Sequence, residues 1–131
     1  EVARENAARL SLSDRVTFYE GDLLAPLFGQ TFDAIVSNPP YIPRGEIAAL
    51  PPEVQAEPRL ALDGGADGLT FYRRLVDEAE AFLSPGGFLS VEAGQGEAAA
   101  IVSMAHEKGW IGVETAEDLA GIDRVVTMYR A

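Results

Sequence analysis

The chain has 131 residues, the length of one domain, with 10 Lys and Arg against 21 Asp and Glu, a net charge of −11. A hydrophobic share of 47% with 13 Gly and 8 Pro excludes disordered, collagen-like and coiled-coil chains, and the acidity disfavours a protein that grips nucleic acid by neutralising phosphates. The absence of cysteine and the single histidine, His106, exclude disulfides, thiolate zinc sites, cysteine nucleophiles and multi-histidine metal centres, and fit a reducing cytoplasm.

The opening Glu-Val-Ala-Arg-Glu-Asn has neither a basic nor an apolar stretch, so it does not read as a signal peptide. Residues 2–10 read as a helix with Ala3, Ala7 and Leu10 on one stripe. A helix this close to a non-Met start points to a chain with an earlier portion. Val16 to Glu20 is β-branched and aromatic, which predicts a strand stopped by Gly21-Asp22. Phe32 to Ser37 is a second strand, and its Ala-Ile-Val run predicts burial on both faces, as in a parallel sheet. Asn38-Pro39-Pro40 must end it, because proline donates nothing to the ladder.

Residues 42–66, with three prolines between Leu50 and Arg59, predict a long loop holding at most a helical turn. Such loops in a compact domain are functional or disordered. From Gly68 to Leu83 the spacing of Tyr72, Leu75, Val76, Ala79 and Leu83 is helical, with Asp67 as a cap. Ser84-Pro85-Gly86-Gly87 turns into a third strand, Phe88 to Val91. Gly96 to Lys108 is a helix closed by Gly109. Trp110 to Thr115 and Arg124 to Arg130 are two final strands. The alternation predicts an α/β fold with a largely parallel sheet, and no apolar run approaches the ~20 residues of a membrane span.

The residues that carry chemistry are Asn38, Pro39, Pro40 and Tyr41, directly after a strand, where open α/β sheets place their ligands. The Asn38 side chain offers an acceptor and a donor. The Pro39 carbonyl is a second acceptor on a stiff backbone. Together they can hold both hydrogens of a planar NH2 group while the Tyr41 ring packs on its face. The plainer reading is a Pro-Pro turn with Asn38 bonded to its own backbone.

Asn-Pro-Pro-Tyr after such a strand resembles the class I S-adenosylmethionine-dependent methyltransferases that act on planar nitrogens. The wider pattern, residues 36–43 with Glu57-Pro58, Ala61-Leu62, Gly64-Gly65, Asp67-Gly68-Leu69, Tyr72-Arg73, Pro85-Gly86-Gly87 and Glu92, resembles the HemK-type release-factor glutamine methyltransferases. Asp118-Leu119-Ala120-Gly121 with Arg124-Val125-Val126 is similar to that family's closing hairpin. The resemblance covers essentially the whole chain.

It implies a Rossmann-like sheet with a C-terminal antiparallel hairpin. It also implies methyl transfer from S-adenosylmethionine, leaving S-adenosylhomocysteine, to the glutamine of a release factor's Gly-Gly-Gln loop. Asn38 would be the catalytic residue, with Asn38, Pro39, Pro40 and Tyr41 binding substrate. Asp22, Leu23 and Asn38 would bind cofactor, Asp22 taking the adenine amino group and Leu23 flanking the ring. No metal, membrane or direct nucleic-acid partner is expected.

The departures are equally definite. The family's first two strands, its glycine-rich loop, its ribose-binding acid and its N-terminal helical domain have no counterpart in residues 1–131. These residues therefore read as the C-terminal part of a catalytic domain, with 16–20 and 32–37 not adjacent in the sheet. The segment after Glu92-Ala93-Gly94 is shortened, and Glu97 stands where the pattern has glutamine. The alternatives are a methyltransferase acting on an adenine or guanine amino group, which needs the same clamp, and a non-catalytic fragment. Glu57 reads as a partner of Arg59 or a turn residue, Glu92 as a ligand-side or solvated carboxylate, Trp110 as packing and His106 as surface.

Overall fold

A computed structural model describes all residues, 1–131. Four strands form one sheet in the order β1-β2-β4-β3. β1 (Phe32–Ser37) runs parallel to β2 (Leu83–Glu92), whereas β4 (Asp123–Tyr129) is antiparallel to both β2 and β3 (Ile111–Glu117). The sheet is mixed rather than largely parallel as the alternation predicted, because the closing hairpin supplies two of its four strands in antiparallel pairing; it keeps the Rossmann-like arrangement of a parallel pair followed by an antiparallel hairpin.

The central strands obey the period of two. Leu89 and Val91 on β2, with Val126 and Met128 on β4, point to one face and are buried. Phe88, Ser90, Thr127 and Tyr129 point to the other and are half-buried. On that second face the Ser90 and Thr127 hydroxyls lie 3.0 Å apart and the Phe88 and Tyr129 rings 5.7 Å apart.

α3 (Thr70–Glu78) and α4 (Ala98–Glu107) supply the covering layer. Tyr72, Leu75 and Val76 of α3 meet Ile101 and Ala105 of α4 over the buried sheet face, in one cluster with Leu83, Leu89 and Met128. Trp110 closes this core, and its indole N–H donates to the Val76 carbonyl at 3.0 Å. The Trp110 expectation thus holds, and His106 is exposed on α4.

Several sequence expectations are corrected. Val16 to Glu20 is not a strand: residues 17–20 make no backbone hydrogen bonds, because no neighbouring strand offers a ladder, and Val16 and Tyr19 are exposed. It is therefore not paired with β1, as expected. β1 is not buried on both faces. Val36 is 76% exposed and only Ile35 packs toward the core: Ile35 shares the face of Leu89, which α3 and α4 cover, whereas Val36 shares the opposite face with Ser90. In α1 (Val2–Arg9) only Ala7 of the expected stripe is buried, and Leu10 is exposed.

β2 starts earlier than Phe88. Its register jumps from Phe32–Leu83 to Ala34–Phe88, so Ser84–Gly87 bulges out within the strand rather than preceding it. Asp67 sits ahead of α3 rather than capping it: its carboxylate accepts the Leu69 N–H at 3.0 Å, an Asx turn that delivers the chain to Thr70. The long segment 42–66 holds more than one turn. It contains 3-10 turns at Arg44–Ala49 and Arg59–Ala61 and a one-turn helix, α2 (Pro52–Gln55).

Candidate functional site

Segment 42–66 is folded back by backbone pairing with the strand end. Ile42 N–H donates to the Leu62 carbonyl at 3.0 Å, and Gly64 N–H donates to the Ile42 carbonyl at 2.9 Å. Asp63 locks the crossing: it accepts the Gly65 N–H and the Arg44 Nε–H, each at 2.9 Å, and lies 3.8 Å from Arg59. These bonds hold the Asp63 carboxyl below the usual carboxylate range.

The glycines of this segment have a packing reason. A Cβ on Gly64 would lie 2.7 Å from Tyr41 Cα and 2.8 Å from the Gly68 carbonyl, so only glycine lets the loop press on the Tyr41 backbone.

The result is a cleft of about 560 Å3 at the C-terminal end of β1. Its floor is Asn38, Pro39, Pro40, Tyr41 and Ile42, and its far wall includes Val54, Glu57 and Leu62. Pro39 is buried and Asn38 exposed, so a rigid backbone carries an accessible amide side chain. The Pro39 carbonyl accepts no hydrogen bond within the chain, and neither does the Asn38 side chain. The Pro-Pro turn reading, with Asn38 bonded to its own backbone, is therefore not what the structure adopts.

Leu60, 88% exposed, stands at the rim. Tyr41 is half-buried, and burial together with the Glu92 carboxylate pushes its phenol up. The turn after β2 lies against the Tyr41 ring, since a Cβ on Gly94 would come 2.7 Å from Tyr41 Cδ2. The fully buried Tyr72 fixes that turn: its hydroxyl donates to the Glu92 carbonyl at 2.7 Å and accepts the Gly94 N–H at 3.3 Å.

The four residues after β1 are thus brought together. Asp22 and Leu23 do not line this cleft. Asp22 instead receives both guanidinium nitrogens of Arg74 on α3, each at 2.9 Å, which lowers its carboxyl; it stays 68% exposed. Leu23 takes a left-handed backbone, φ +48°, and packs on the edge of the core. Glu57 does not pair with Arg59, whose guanidinium goes to Asp63; it faces the cleft. No cluster of His, Asp or Glu is arranged to hold a metal ion, and no helix is long and apolar enough to cross a membrane.

No family model matches the chain. Two proteins called release factor glutamine methyltransferase are close in sequence. That of Geobacter sulfurreducens is 52% identical over 95% of this chain and 44% of its own length. That of Moorella thermoacetica is 48% identical over 98% of this chain and 46% of its own. The chain belongs to the release factor glutamine methyltransferase family. It spans about half the length of the curated relatives it matches.

A solved protein-(glutamine-N5) methyltransferase, release factor-specific, from Alicyclobacillus acidocaldarius agrees with this family assignment. It superposes with a TM-score of 0.51 at 32% identity, over 78% of this chain and 50% of that one. A methyltransferase from Pyrococcus furiosus, 19% identical with a TM-score of 0.63, shares the fold.

Within this family the missed residues are the ones that segment 42–66 brings in. Val54, Leu60 and Leu62 reach the cleft through pairings 20 residues apart in sequence, for which no local pattern exists. The Glu57-Pro58 motif was the available signal, since its carboxylate had no need of Arg59.

Proposed function

We propose that this chain provides the substrate clamp of a methyltransferase that modifies the side-chain nitrogen of a glutamine in a peptide chain release factor, in the cytoplasm. The observation that carries this reading is the pair of unengaged acceptors, Asn38 and the Pro39 carbonyl, on a rigid cleft floor. An amide NH2 has two hydrogens in one plane, and two fixed acceptors fit it.

An amide nitrogen is a weak nucleophile because its lone pair is delocalised. The clamp holds both N–H bonds and so fixes where the nitrogen points, which supplies orientation. As the nitrogen gains its methyl it sheds one proton to solvent, and the oxygens of Asn38 and Pro39 stabilise the positive charge that builds on the N–H groups. Tyr41 covers the planar face. Leu60 and Val54 shield an apolar part of the substrate loop, for which the small Gly-Gly-Gln backbone is suited.

S-adenosylmethionine would supply the methyl from its sulfonium centre. The residues present suit its adenine end: each Asp22 oxygen bonds one Arg74 nitrogen and keeps a lone pair for an adenine amino group, and Leu23 adjoins it. We read residues 1–131 as the part of the catalytic domain that carries this clamp, with methionine and ribose contacts made elsewhere in the protein.

A relative from Bradyrhizobium diazoefficiens called ribosomal protein uL3 glutamine methyltransferase is 49% identical over 73% of this chain. The test therefore offers the whole protein a release factor, ribosomal protein uL3 and an adenine-containing duplex in parallel, with methyl-labelled cofactor. Label on the release-factor glutamine alone supports the proposal. Label on uL3 moves the substrate within the same chemistry. Label on the duplex favours the amino-group alternative, and no label anywhere favours the non-catalytic one.

A further inference from the structure

One buried side-chain atom has no hydrogen-bond partner: Oε2 of Glu97. Glu97 precedes α4 and makes no side-chain bond to the helix's first amides, so the helix end does not satisfy it. Its carboxyl lies between two glycines. A Cβ on Gly94 would collide with Oε1, and one on Gly68 would come within 2.9 Å of Oε2.

The same Gly68 position lies 2.5 Å from the carbonyl oxygen of Tyr41 and 3.1 Å from Pro43 Cδ. That carbonyl accepts no hydrogen bond in the chain. Two unsatisfied oxygens thus converge on Gly68, one from the helix and one from the cleft floor. Two bare acceptors repel, whereas a proton between them makes one donor and one acceptor. A buried polar group left without a partner is costly, so the protonated arrangement is favoured.

We propose that Glu97 is a neutral carboxylic acid whose O–H donates to the Tyr41 carbonyl, making it a positioning residue that ties the start of α4 to the Asn38–Tyr41 segment. The surroundings agree. Burial comes first, then the Asp67 and Glu46 carboxylates; together they push Glu97 up to about 7. Glu92, Tyr41 and Tyr72 add no positive charge. Of the nearby cations, Arg73 is held by Asp67 and Arg124 pairs with Asp118. Above neutral pH the tie opens and the clamp backbone is released. That last consequence rests on the proposed clamp reading; the contact itself does not.

The test is a carboxyl and amide NMR titration of the whole protein from pH 5 to 9, without substrate or cofactor, so its outcome is independent of the methyltransferase reading. The Glu97 carboxyl and the Ile42 amide, which shares a peptide unit with the Tyr41 carbonyl, are expected to move together with a midpoint near 7. In Glu97→Gln, whose side-chain amide also donates, the Ile42 amide is expected to stay at its acidic position throughout. In Glu97→Ala it is displaced at every pH. His106→Gln, at the far end of α4, is expected to keep the transition. A Glu97 carboxyl titrating near 4.5, an Ile42 amide that does not move, or a transition that survives in Glu97→Gln would overturn the proposal.

Discussion

Removing the Tyr72 hydroxyl tests how the cleft floor is supported. In Tyr72→Phe the ring still fills its place, so no cavity forms. Two contacts are lost: the bond to the Glu92 carbonyl at 2.7 Å and that from the Gly94 N–H at 3.3 Å. Gly94 is buried and its amide has no other acceptor, so it bears the full cost of being left unpaired. Such a group costs about 1–3 kcal/mol, against a net of about 1 for an ordinary bond. The expected loss is therefore about 2 kcal/mol.

Urea unfolding reads this directly, because Trp110 is the only tryptophan and lies in the same core. With a slope of about 1–3 kcal/mol per molar urea, the midpoint should fall by roughly 1 M while the slope stays fixed. A midpoint within about 0.2 M of the parent would refute the claim that this hydroxyl supports the turn after β2, whatever the slope.

Four further outcomes are expected. In the whole protein, assayed for the proposed glutamine methylation, Asn38→Ala should lower kcat/KM by roughly 10²–10³-fold with the fold intact by circular dichroism; a fall of less than about threefold removes Asn38 from the proposed reaction. Glu97 has a raised carboxyl, so its contribution to stability is whole below about 4.5 and is lost as pH rises through about 7. Discounted for partial solvent screening, that is about 1–2 kcal/mol between pH 5 and 8, seen as a falling urea midpoint that flattens in Glu97→Gln. Gly64→Ala, whose new methyl meets Tyr41 Cα, should lower the unfolding midpoint and shift the Tyr41 amide; a native-like amide spectrum would contradict the packing described. Duplex DNA should not bind at physiological salt, and sub-micromolar binding with a steep salt slope would speak for a nucleic-acid substrate.

Legibility in the sequence followed the range of the interactions. The Asn38–Tyr41 floor was readable because strand, proline and acceptors are contiguous. The closing hairpin was readable too. Asp118 accepts the Ala120 and Ile122 amides at 2.8 and 3.0 Å and meets Arg124 at 3.2 Å, all within six residues. Val16 to Glu20 misled because strand propensity states what a segment tolerates, not whether a neighbour is there. Val36 misled for a related reason, as its exposure is decided by what covers its face of the sheet. The far wall of the cleft and the Glu97 contact depend on chain segments that meet only after folding, and no spacing encodes them.

The order of strands in the sheet also bears on the sequence of events as the molecule forms. β3 and β4 are joined by a short turn and can zip locally, on the microsecond scale of hairpins. β1 and β2 must instead find each other across some fifty intervening residues, with the loop-closure entropy that distance carries. The cleft straddles this late pairing, because its floor leaves β1 and its support leaves β2. A chain emerging from the ribosome therefore holds Asn38–Tyr41 early but aligns them only once β2 has docked. Mutations that slow β1–β2 docking would lower the yield of competent molecules while leaving those that mature unchanged.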